Sequence, residues 1–346
     1  MSAKEQSGDI SGMKPTLGIL LGDANGIGPE IVAKLCARGG ITASCNPILI
    51  GDHRVLMMGQ RIAGVDFPVS VIDHITETVP QGSLPLLDQK NLDPEQISIG
   101  TPDPVSGRAT GDMLLTAFAL CRDGSLAGFT IAPFNKASLQ YGGHGSVARG
   151  TTDEPYQEIN IVSNLWTSRV TSHIPLKEVS AHLTADTILD SITLLHRTMT
   201  MAGFSRPRIG VAALNPHAGE DGLCGREEIE IIAPAVLKAQ EAGIDARGPL
   251  PADTIFLHAF NGEYDGVTTM YHDQGQIALK LMDFDSGVSV AAGLPFPITT
   301  PAHGTAFDIA GKGIAQPDAM KRAIEIAARM AGWQRDKNVG TISRDR

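Results

Sequence analysis

The sequence predicts an α/β fold built around a largely parallel sheet. Short apolar runs rich in β-branched residues alternate with helical patterns for most of the length, which is the rhythm of repeated strand–helix–strand units. The 38 glycines and the apolar content of 42% fit an α/β protein with many tight turns. A chain of 346 residues is long enough for two domains of ordinary size.

The predicted strands are short apolar runs bounded by turn residues. They cover residues 16–21, 47–51, 68–72, 128–132, 165–170, 208–214, 266–271 and 287–291. The clearest predicted helices place apolar residues near a period of 3.6. They cover residues 29–38, 111–122, 185–201, 226–242 and 317–331. Residues 78–106 hold five of the 21 prolines and little periodicity, so we expect a long surface connection there.

Composition excludes several classes of protein. The net charge of -10 provides no general basic surface for a phosphate backbone, so no nucleic-acid partner is expected. The four cysteines show no C-x-x-C spacing, and no secretory apolar segment is present, which favours a reducing compartment. No apolar run approaches the roughly 18 residues that a membrane span needs. We therefore expect a soluble cytoplasmic protein that does not interact with membranes.

A glycine-rich segment, residues 22–30, follows the first predicted strand and opens the first predicted helix. Glycines allow a tight turn, Pro29 suits the first helical position, and free amides at a helix start can hold an anion. The segment differs from the dinucleotide pattern G-x-G-x-x-G. A purely structural strand-to-helix turn explains it equally well.

Three histidines, His173, His217 and His272, each follow a predicted strand. Open α/β sheets place their sites at such strand ends, so one divalent metal could be shared by the three side chains. Neutral imidazoles suit zinc, nickel, cobalt or iron, and three ligands leave open positions for a substrate. Separate surface or helix-capping histidines are the alternative, because the spacing is too long for a local metal motif.

Two further residues could act on a substrate beside such a metal. Residues 248–254 predict a rigid turn that presents Asp253, and Lys280 follows His272 by eight residues on a predicted amphipathic helix. An ammonium group can bind a carboxylate, and either residue can move a proton. A solvated helix face and a helix cap are the ordinary alternatives.

Residues 303–317 combine glycines and short side chains before the last predicted helix. Such a loop lets the backbone approach a ligand closely. The alternative is an ordinary connection before a terminal helix.

Together these segments resemble the 4-hydroxythreonine-4-phosphate dehydrogenase family over about residues 16–331. The resemblance is carried by G-D-A-N-G-I-G-P-E, A-P-F-N-K, T-S-H-I-P-L, L-N-P-H-A-G-E, G-P-L-P-A-D-T, Y-H-D-Q-G, G-L-P-F and H-G-T-A-F-D-I-A-G-K-G, in that order. The last motif is also similar to the cofactor loop of isopropylmalate and isocitrate dehydrogenases.

The resemblance implies an isocitrate/isopropylmalate dehydrogenase-like, two-domain α/β/α protomer that works as a homodimer. Its first domain would comprise residues 14–138 and 302–335, and its second would comprise residues 139–301 with the dimer interface and the metal site. The active site would lie in the cleft between the domains, at that interface.

The resemblance also implies roles for individual residues. His173, His217 and His272 would bind the metal, with one ligand contributed across the dimer; zinc is the first choice, and magnesium, manganese and cobalt are the others. Asp253 and Lys280 would contact the substrate and act in catalysis. NAD or NADP would contact the loop that starts at residue 303, through His303, Gly304, Ala306, Asp308 and Gly311.

The implied activity is oxidation of 4-hydroxythreonine 4-phosphate, or of a related threonate or erythronate phosphate, with loss of carbon dioxide from the resulting β-keto acid. This reaction belongs to pyridoxine biosynthesis. The metal would lower the pKa of the substrate hydroxyl and stabilise the enolate formed on decarboxylation.

The sequence departs from the family where the substrate's anionic end is held. The family's Gly-His-Thr-Glu corresponds to a segment containing Thr151 and Thr152, so Thr151 replaces a histidine. Ser289 occupies the position of a family asparagine, and Ile298 occupies the position of a family arginine. Isoleucine cannot donate the paired hydrogen bonds that an arginine gives to phosphate, although Arg149 could compensate.

Two alternatives follow from these departures. A dehydrogenase could take an unphosphorylated substrate, such as a carboxylated aromatic cis-dihydrodiol, whose ring Ile298 would tolerate better than a phosphate. A catalytically silent metabolite-binding protein is the non-enzyme alternative, but it would have no need for both the histidine set and the cofactor-like loop.

Overall fold

The structure is a computed structural model that describes residues 14–144, 156–283 and 286–342, with side chains as far as residue 335. Thr151 and Thr152 lie outside the described residues. The described strands form one twelve-stranded sheet. They are β1 (Thr16–Leu20), β2 (Asn46–Gly51), β3 (Val69–Ile72), β4 (Leu84–Asp88), β5 (Phe129–Ile131), β6 (Gln157–Val162), β7 (Leu165–Arg169), β8 (Arg208–Ala212), β9 (Asp245–Leu250), β10 (Gly266–Thr269), β11 (Val288–Ala292) and β12 (Ile298–Pro301).

Helices cover the sheet. They are α1 (Gly28–Ala37), α2 (Ile41–Ser44), α3 (His53–Ala63), α4 (Pro104–Arg122), α5 (Lys136–Tyr141), α6 (Val179–His182), α7 (Ala185–Met201), α8 (Ala233–Glu241), α9 (Ile255–Phe260), α10 (His272–Met282) and α11 (Asp318–Ile342). Within the described ranges, none of these helices has the length and apolar character needed to span a bilayer.

The sheet consists of two parallel blocks joined by an antiparallel centre. Its strand order is β3-β4-β2-β1-β5-β12-β11-β6-β7-β10-β8-β9. The first six strands in this order run parallel to one another, as do the last four. The pairs β12–β11, β11–β6 and β6–β7 are antiparallel. The prediction of an α/β fold with a largely parallel sheet is confirmed.

The described buried side chains form two large hydrophobic cores and a third, smaller one around α9. The first surrounds β1, β2 and β5, and the second surrounds α7, β8 and α8. Helix α11 contributes to both, because Met320 and Ile324 pack into the first core whereas Ala323 and Ile326 pack into the second. This helix therefore links the two halves of the protein.

The prediction that residues 78–106 form a surface connection is wrong. Strand β4 lies in this segment, between β3 and β2, and Leu86 at its centre is fully buried. The prolines obscured the strand, since proline is unusual inside a sheet. Helix α4 also begins here: Pro104 occupies its first turn, and the Asp103 carboxylate accepts hydrogen bonds from two backbone amides.

All eight predicted strands are present, with ends that differ by two residues or fewer. Four strands were not predicted, namely β4, β6, β9 and β12. Strand β9 includes part of the predicted rigid turn of residues 248–254, which therefore starts as an edge strand. The predicted helix 226–242 begins instead with a π-helical turn, Glu228–Ile232, before α8.

Candidate functional site

Three adjoining cavities meet at Glu158, on β6. Their volumes are about 430, 150 and 190 Å³. The first is lined by His173, the second by His272 and Lys280, and the third by Ser289 and Ile298. Five residues predicted from the sequence thus line one connected region beside the antiparallel centre of the sheet.

Glu158 is the centre of a hydrogen-bond network. Its carboxylate accepts from Arg169 Nη2 at 2.9 Å, Asn160 Nδ2 at 2.9 Å and Ser289 Oγ at 2.8 Å. Burial raises the pKa of Glu158, but the Arg169 guanidinium and these hydrogen bonds outweigh it, so the pKa lies below its ordinary value. The Arg169 guanidinium is therefore already engaged by a carboxylate and is not a free anion receptor.

The third cavity is mostly apolar. Phe118, Phe134, Leu294 and Ile298 line it, and the Ile298 side chain occupies the position where the resemblance leads us to expect an arginine. Among the described residues that line this cavity, Lys136 is the only cation. This end of the site can therefore bury an apolar group, and Lys136 is left to meet a negative charge.

His173 and His272 lie close together. Their ring centroids are 5.8 Å apart, and His272 Nδ1 lies 2.7 Å from a carboxylate oxygen of Asp273. A carboxylate that holds one ring nitrogen fixes the imidazole and leaves the other nitrogen available to a metal. Lys280, which lines the same cavity as His272, lies on α10 as the sequence predicts.

His217 lies on a short left-handed turn. Residues from His217 to Asp221 all have positive φ, although only one of the five is glycine. Left-handed backbone costs roughly 1–2 kcal/mol per non-glycine residue, so such a run persists only where its surroundings hold it. The buried Glu228 carboxylate packs against this run, because a Cβ added at Gly219 would lie 2.7 Å from Glu228 Oε2, and it accepts hydrogen bonds from the backbone amides of Leu214 and Asn215 just before the turn.

The His217 ring is itself oriented by a carboxylate. Its Nδ1 lies 2.6 Å from Glu220 Oε1, and this contact raises the pKa of His217, with a smaller effect from the nearby Asp253. Thus Asp253 lies near His217, whereas Lys280 lies near His272. Within the part of the chain that the structure describes, no three His, Cys, Asp or Glu side chains come together as a metal-binding group.

The predicted cofactor loop is anchored by the first glycine-rich segment and by helix α1, which that segment opens. Lys34 Nζ donates to the carbonyl oxygens of Gly313 and Ala315 at 2.9 and 2.7 Å, and it pairs with Glu30 at 2.7 Å. The amide of Ile27 donates to the Thr305 carbonyl at 3.0 Å. The segment 22–30 therefore acts as a support for the loop.

The loop itself presents backbone to solvent. Gly304, Asp308 and Gly311 are exposed, His303 and Ala306 are half-buried, and a Cβ added at Gly304 would meet no atom within 4 Å. Ala306 adopts φ +44°, an unusual backbone conformation for a non-glycine residue. Open, short-chain backbone of this kind fits a flat ligand.

Three residues of the site were not identified from the sequence. Lys136 belongs to the quoted motif A-P-F-N-K and directly follows a predicted strand, so its position was a usable signal. Glu158 and Arg169 face each other across the β6–β7 pair, and β6 was not predicted. Without that strand, nothing indicated their contact.

Comparison with known proteins places these features in a family. The family model for pyridoxal phosphate biosynthetic protein PdxA matches residues 43–327. A Pseudomonas aeruginosa relative is 44% identical over 326 residues, covering 91% of this chain and 97% of its own length. D-threonate 4-phosphate dehydrogenase of Cupriavidus necator is 39% identical and covers 93% of this chain and 100% of its own length.

Solved structures agree. The crystal structure of 4-hydroxythreonine-4-phosphate dehydrogenase from Klebsiella pneumoniae has a TM-score of 0.78 and 35% identity, covering 92% of this chain and 99% of its own. A terephthalate 1,2-cis-dihydrodiol dehydrogenase from Burkholderia xenovorans has a TM-score of 0.65 and 26% identity, covering 91% and 98%.

Proposed function

The chain belongs to the PdxA family, and on that premise we propose that it is a metal-dependent NAD(P) dehydrogenase that oxidises and decarboxylates a small hydroxy acid. The favoured substrate is 4-hydroxythreonine 4-phosphate or a related four-carbon phosphorylated acid, such as threonate or erythronate 4-phosphate. The observation that carries the proposal is the pair of facing imidazoles, His173 and His272, beside Lys280 and a polar cavity.

The metal would be held by His173 and His272 of one subunit and His217 of the other. Two of these imidazoles have Nδ1 held by a carboxylate, which fits a divalent metal such as zinc bound through Nε2. The bound ion would supply Lewis acidity at the substrate hydroxyl, and NAD or NADP would supply the hydride acceptor.

A homodimer would complete this ligand set. Helix α10, which starts at His272, exposes Ile277 and Leu281, which lie one turn apart on the same face. Apolar side chains that form a patch at a site rim are typical of a subunit interface. An isologous contact in this region would also bring Asp253, beside His217, towards the site of the other subunit.

The residues around the proposed substrate have separable tasks. Lys280 would hold the carboxylate that is lost, as an ammonium, and Asp253 would then take the hydroxyl proton; alternatively Lys280, as a neutral amine, would take that proton itself. Ser289 and Glu158 would orient the polar part of the substrate, with Thr151, Thr152 and Ile298 at its distal end. His303, Gly304, Ala306, Asp308 and Gly311 would contact the cofactor.

We further propose that the two cores correspond to two domains, residues 14–138 with 302–335 and residues 139–301, and that the reaction takes place between them. The family's role in pyridoxal phosphate synthesis suits a cytoplasmic enzyme that acts on a metabolite rather than on nucleic acid.

A second candidate is a dehydrogenase of an unphosphorylated substrate such as a carboxylated cis-dihydrodiol. It is favoured by the apolar cavity around Phe118, Phe134 and Ile298, which suits a hydrocarbon ring. The likeness to the terephthalate dihydrodiol dehydrogenase supports the same alternative. A silent binding protein is disfavoured, because a binder would need neither the histidine pair nor the anchored loop.

The experiment is NADH or NADPH formation by metal-reconstituted protein with paired substrates. Four-carbon hydroxy acids with and without a 4-phosphate are compared with carboxylated cis-dihydrodiols. Turnover that requires the phosphate supports the favoured substrate, with Lys136 as the cation that replaces the missing arginine. Turnover only without phosphate supports the second candidate, and no turnover with any of them contradicts both.

A further inference from the structure

Another, larger cavity lies along α11, on the face of the sheet opposite the apolar cavity that Ile298 lines. Side chains of a strand alternate between its two faces. In β12, the Thr299 hydroxyl donates to the Ala323 carbonyl of α11 at 2.9 Å, which places α11 on the face opposite the side chains of Ile298 and Thr300. This larger cavity, of about 1000 Å³, runs along the flank of α11 and is here called the α11 groove.

The α11 groove carries an excess of positive charge. Among the described residues that line it, the cations are Lys14, Lys321, Arg322, Arg329 and Arg335, and the anions are Asp283, Asp318 and Glu325. These five cations and three anions give the described lining a charge of +2, in a protein whose net charge is -10. Charge of this sign concentrated in a cleft attracts anions.

Arg322 is held in an unfavourable environment. Its only hydrogen bond among the described residues is a long one of 3.4 Å to the Ser286 carbonyl, and none of the described carboxylates lies within ion-pair distance of it. Burial and the neighbouring Arg329 lower the pKa of Arg322, and they outweigh the opposite effect of Asp283 and Glu325. A half-buried guanidinium that repels a second one is stabilised by an anion placed between them.

We propose that the α11 groove binds a small polyanion that carries phosphate groups, with Arg322 and Arg329 as its main donors. A guanidinium fork matches phosphate oxygens, and the volume lies at the upper end of ordinary ligand sites, which suits a molecule as large as a nucleoside polyphosphate. The groove also joins both halves of the protein, because Lys14 precedes β1 whereas Ser163 and Asn164 connect β6 to β7. Such a ligand would hold the two halves together.

The test measures the binding of pyrophosphate, ATP, inorganic phosphate and citrate to the full-length protein at constant ionic strength. Calorimetry gives the affinities, and thermal unfolding gives the stabilisation by each anion. Pyrophosphate is expected to raise the unfolding temperature. The double variant Arg322→Gln/Arg329→Gln should bind it at least roughly tenfold more weakly, because the charged hydrogen bonds from both guanidinium groups to phosphate are lost. Arg206→Gln is the control, since Arg206 is exposed and lies outside the groove.

Thermal stability without ligand separates a binding role from a structural one. Removing the mutual repulsion should leave the double variant at least as stable as the wild-type protein, whereas a structural role for these arginines requires a lower unfolding temperature. ATP that binds more tightly than pyrophosphate identifies a nucleotide, and equal affinity identifies the phosphate groups alone as the determinant. Equal binding of citrate, or pyrophosphate binding unchanged in the double variant, would overturn the proposal.

Discussion

The contact between helix α1 and the predicted cofactor loop leads to a quantitative prediction for Lys34→Met. Lys34 is largely buried, with its side chain 14% exposed, and its partner Glu30 is 1% exposed. The ammonium group also donates to the carbonyl oxygens of Gly313 and Ala315. Methionine fills a similar volume but leaves the buried Glu30 carboxylate with the Ala315 amide and without its cation, and loss of one member of a buried ion pair typically costs about 3–5 kcal/mol.

We expect urea unfolding at fixed protein concentration to show this loss. Lys238→Met is the matched control, because Lys238 also lies in a helix and forms a 2.9 Å ion pair, with Asp186, but on the surface. An exposed pair of this kind contributes about 1 kcal/mol or less. The double variant Glu30→Gln/Lys34→Met should recover most of the stability, because it removes both charges together.

The single variant Lys34→Met should also weaken the binding of the cofactor selectively. Since Lys34 holds the end of the loop and not the substrate cavity, KM for NAD or NADP should rise in Lys34→Met while KM for the hydroxy acid stays near the wild-type value. A loss of stability no larger than that of Lys238→Met would refute the role of this buried pair. An unchanged cofactor KM would refute the anchoring of the loop.

Three further predictions concern single side chains. His217→Ala should abolish turnover while light scattering still shows a folded dimer; normal activity would remove His217 from the metal site. Ile298→Arg should raise kcat/KM for phosphorylated substrates relative to unphosphorylated ones, and an unchanged ratio would show that Ile298 does not face the distal group. Burial raises the pKa of Asp265, but the paired hydrogen bonds from Arg208 outweigh it and lower the pKa. The Arg208–Asp265 pair therefore stabilises the folded protein above the pKa of about 3.9 that Asp265 has in the unfolded chain. This stabilisation is lost as the pH falls through the lower pKa of Asp265 in the folded protein. Asp265→Asn should cost about 1 kcal/mol at pH 7, with a difference that narrows towards pH 3; a constant difference would contradict the ion pair.

The sequence was most informative where local pattern decides structure. Buried strands such as β1 and β8 were predicted because an apolar run between turn residues has few other uses. Strand β4 was missed because Pro85 suggested a loop, and its place in the sheet depends on neighbouring strands far away in sequence. Helix α4 begins at Pro104, seven residues before the predicted start at residue 111. Gly107 in this helix permits close packing, since a Cβ there would overlap the Ser138 carbonyl.

The candidate site was predictable only in part, for a similar reason. Individual histidines could be located at strand ends, and the approach of His173 to His272 follows from two strands, β7 and β10, that are adjacent in the sheet. The ion pair between Glu158 and Arg169 depends on a hairpin pairing that no local pattern revealed. The left-handed turn that carries His217 packs against the buried carboxylate of Glu228, a contact that no sequence pattern indicated.

Complementation between two inactive variants tests the central proposal most directly. His217→Ala and His272→Ala are co-expressed so that mixed dimers form, and NADH formation is measured with a substrate that the wild-type protein turns over. If each site combines His272 of one subunit with His217 of the other, a mixed dimer contains one intact site, and random assortment should restore about a quarter of the wild-type activity. If the mixture is as inactive as each variant alone although mixed dimers are present, no site is shared between subunits, and the proposed metal centre is wrong.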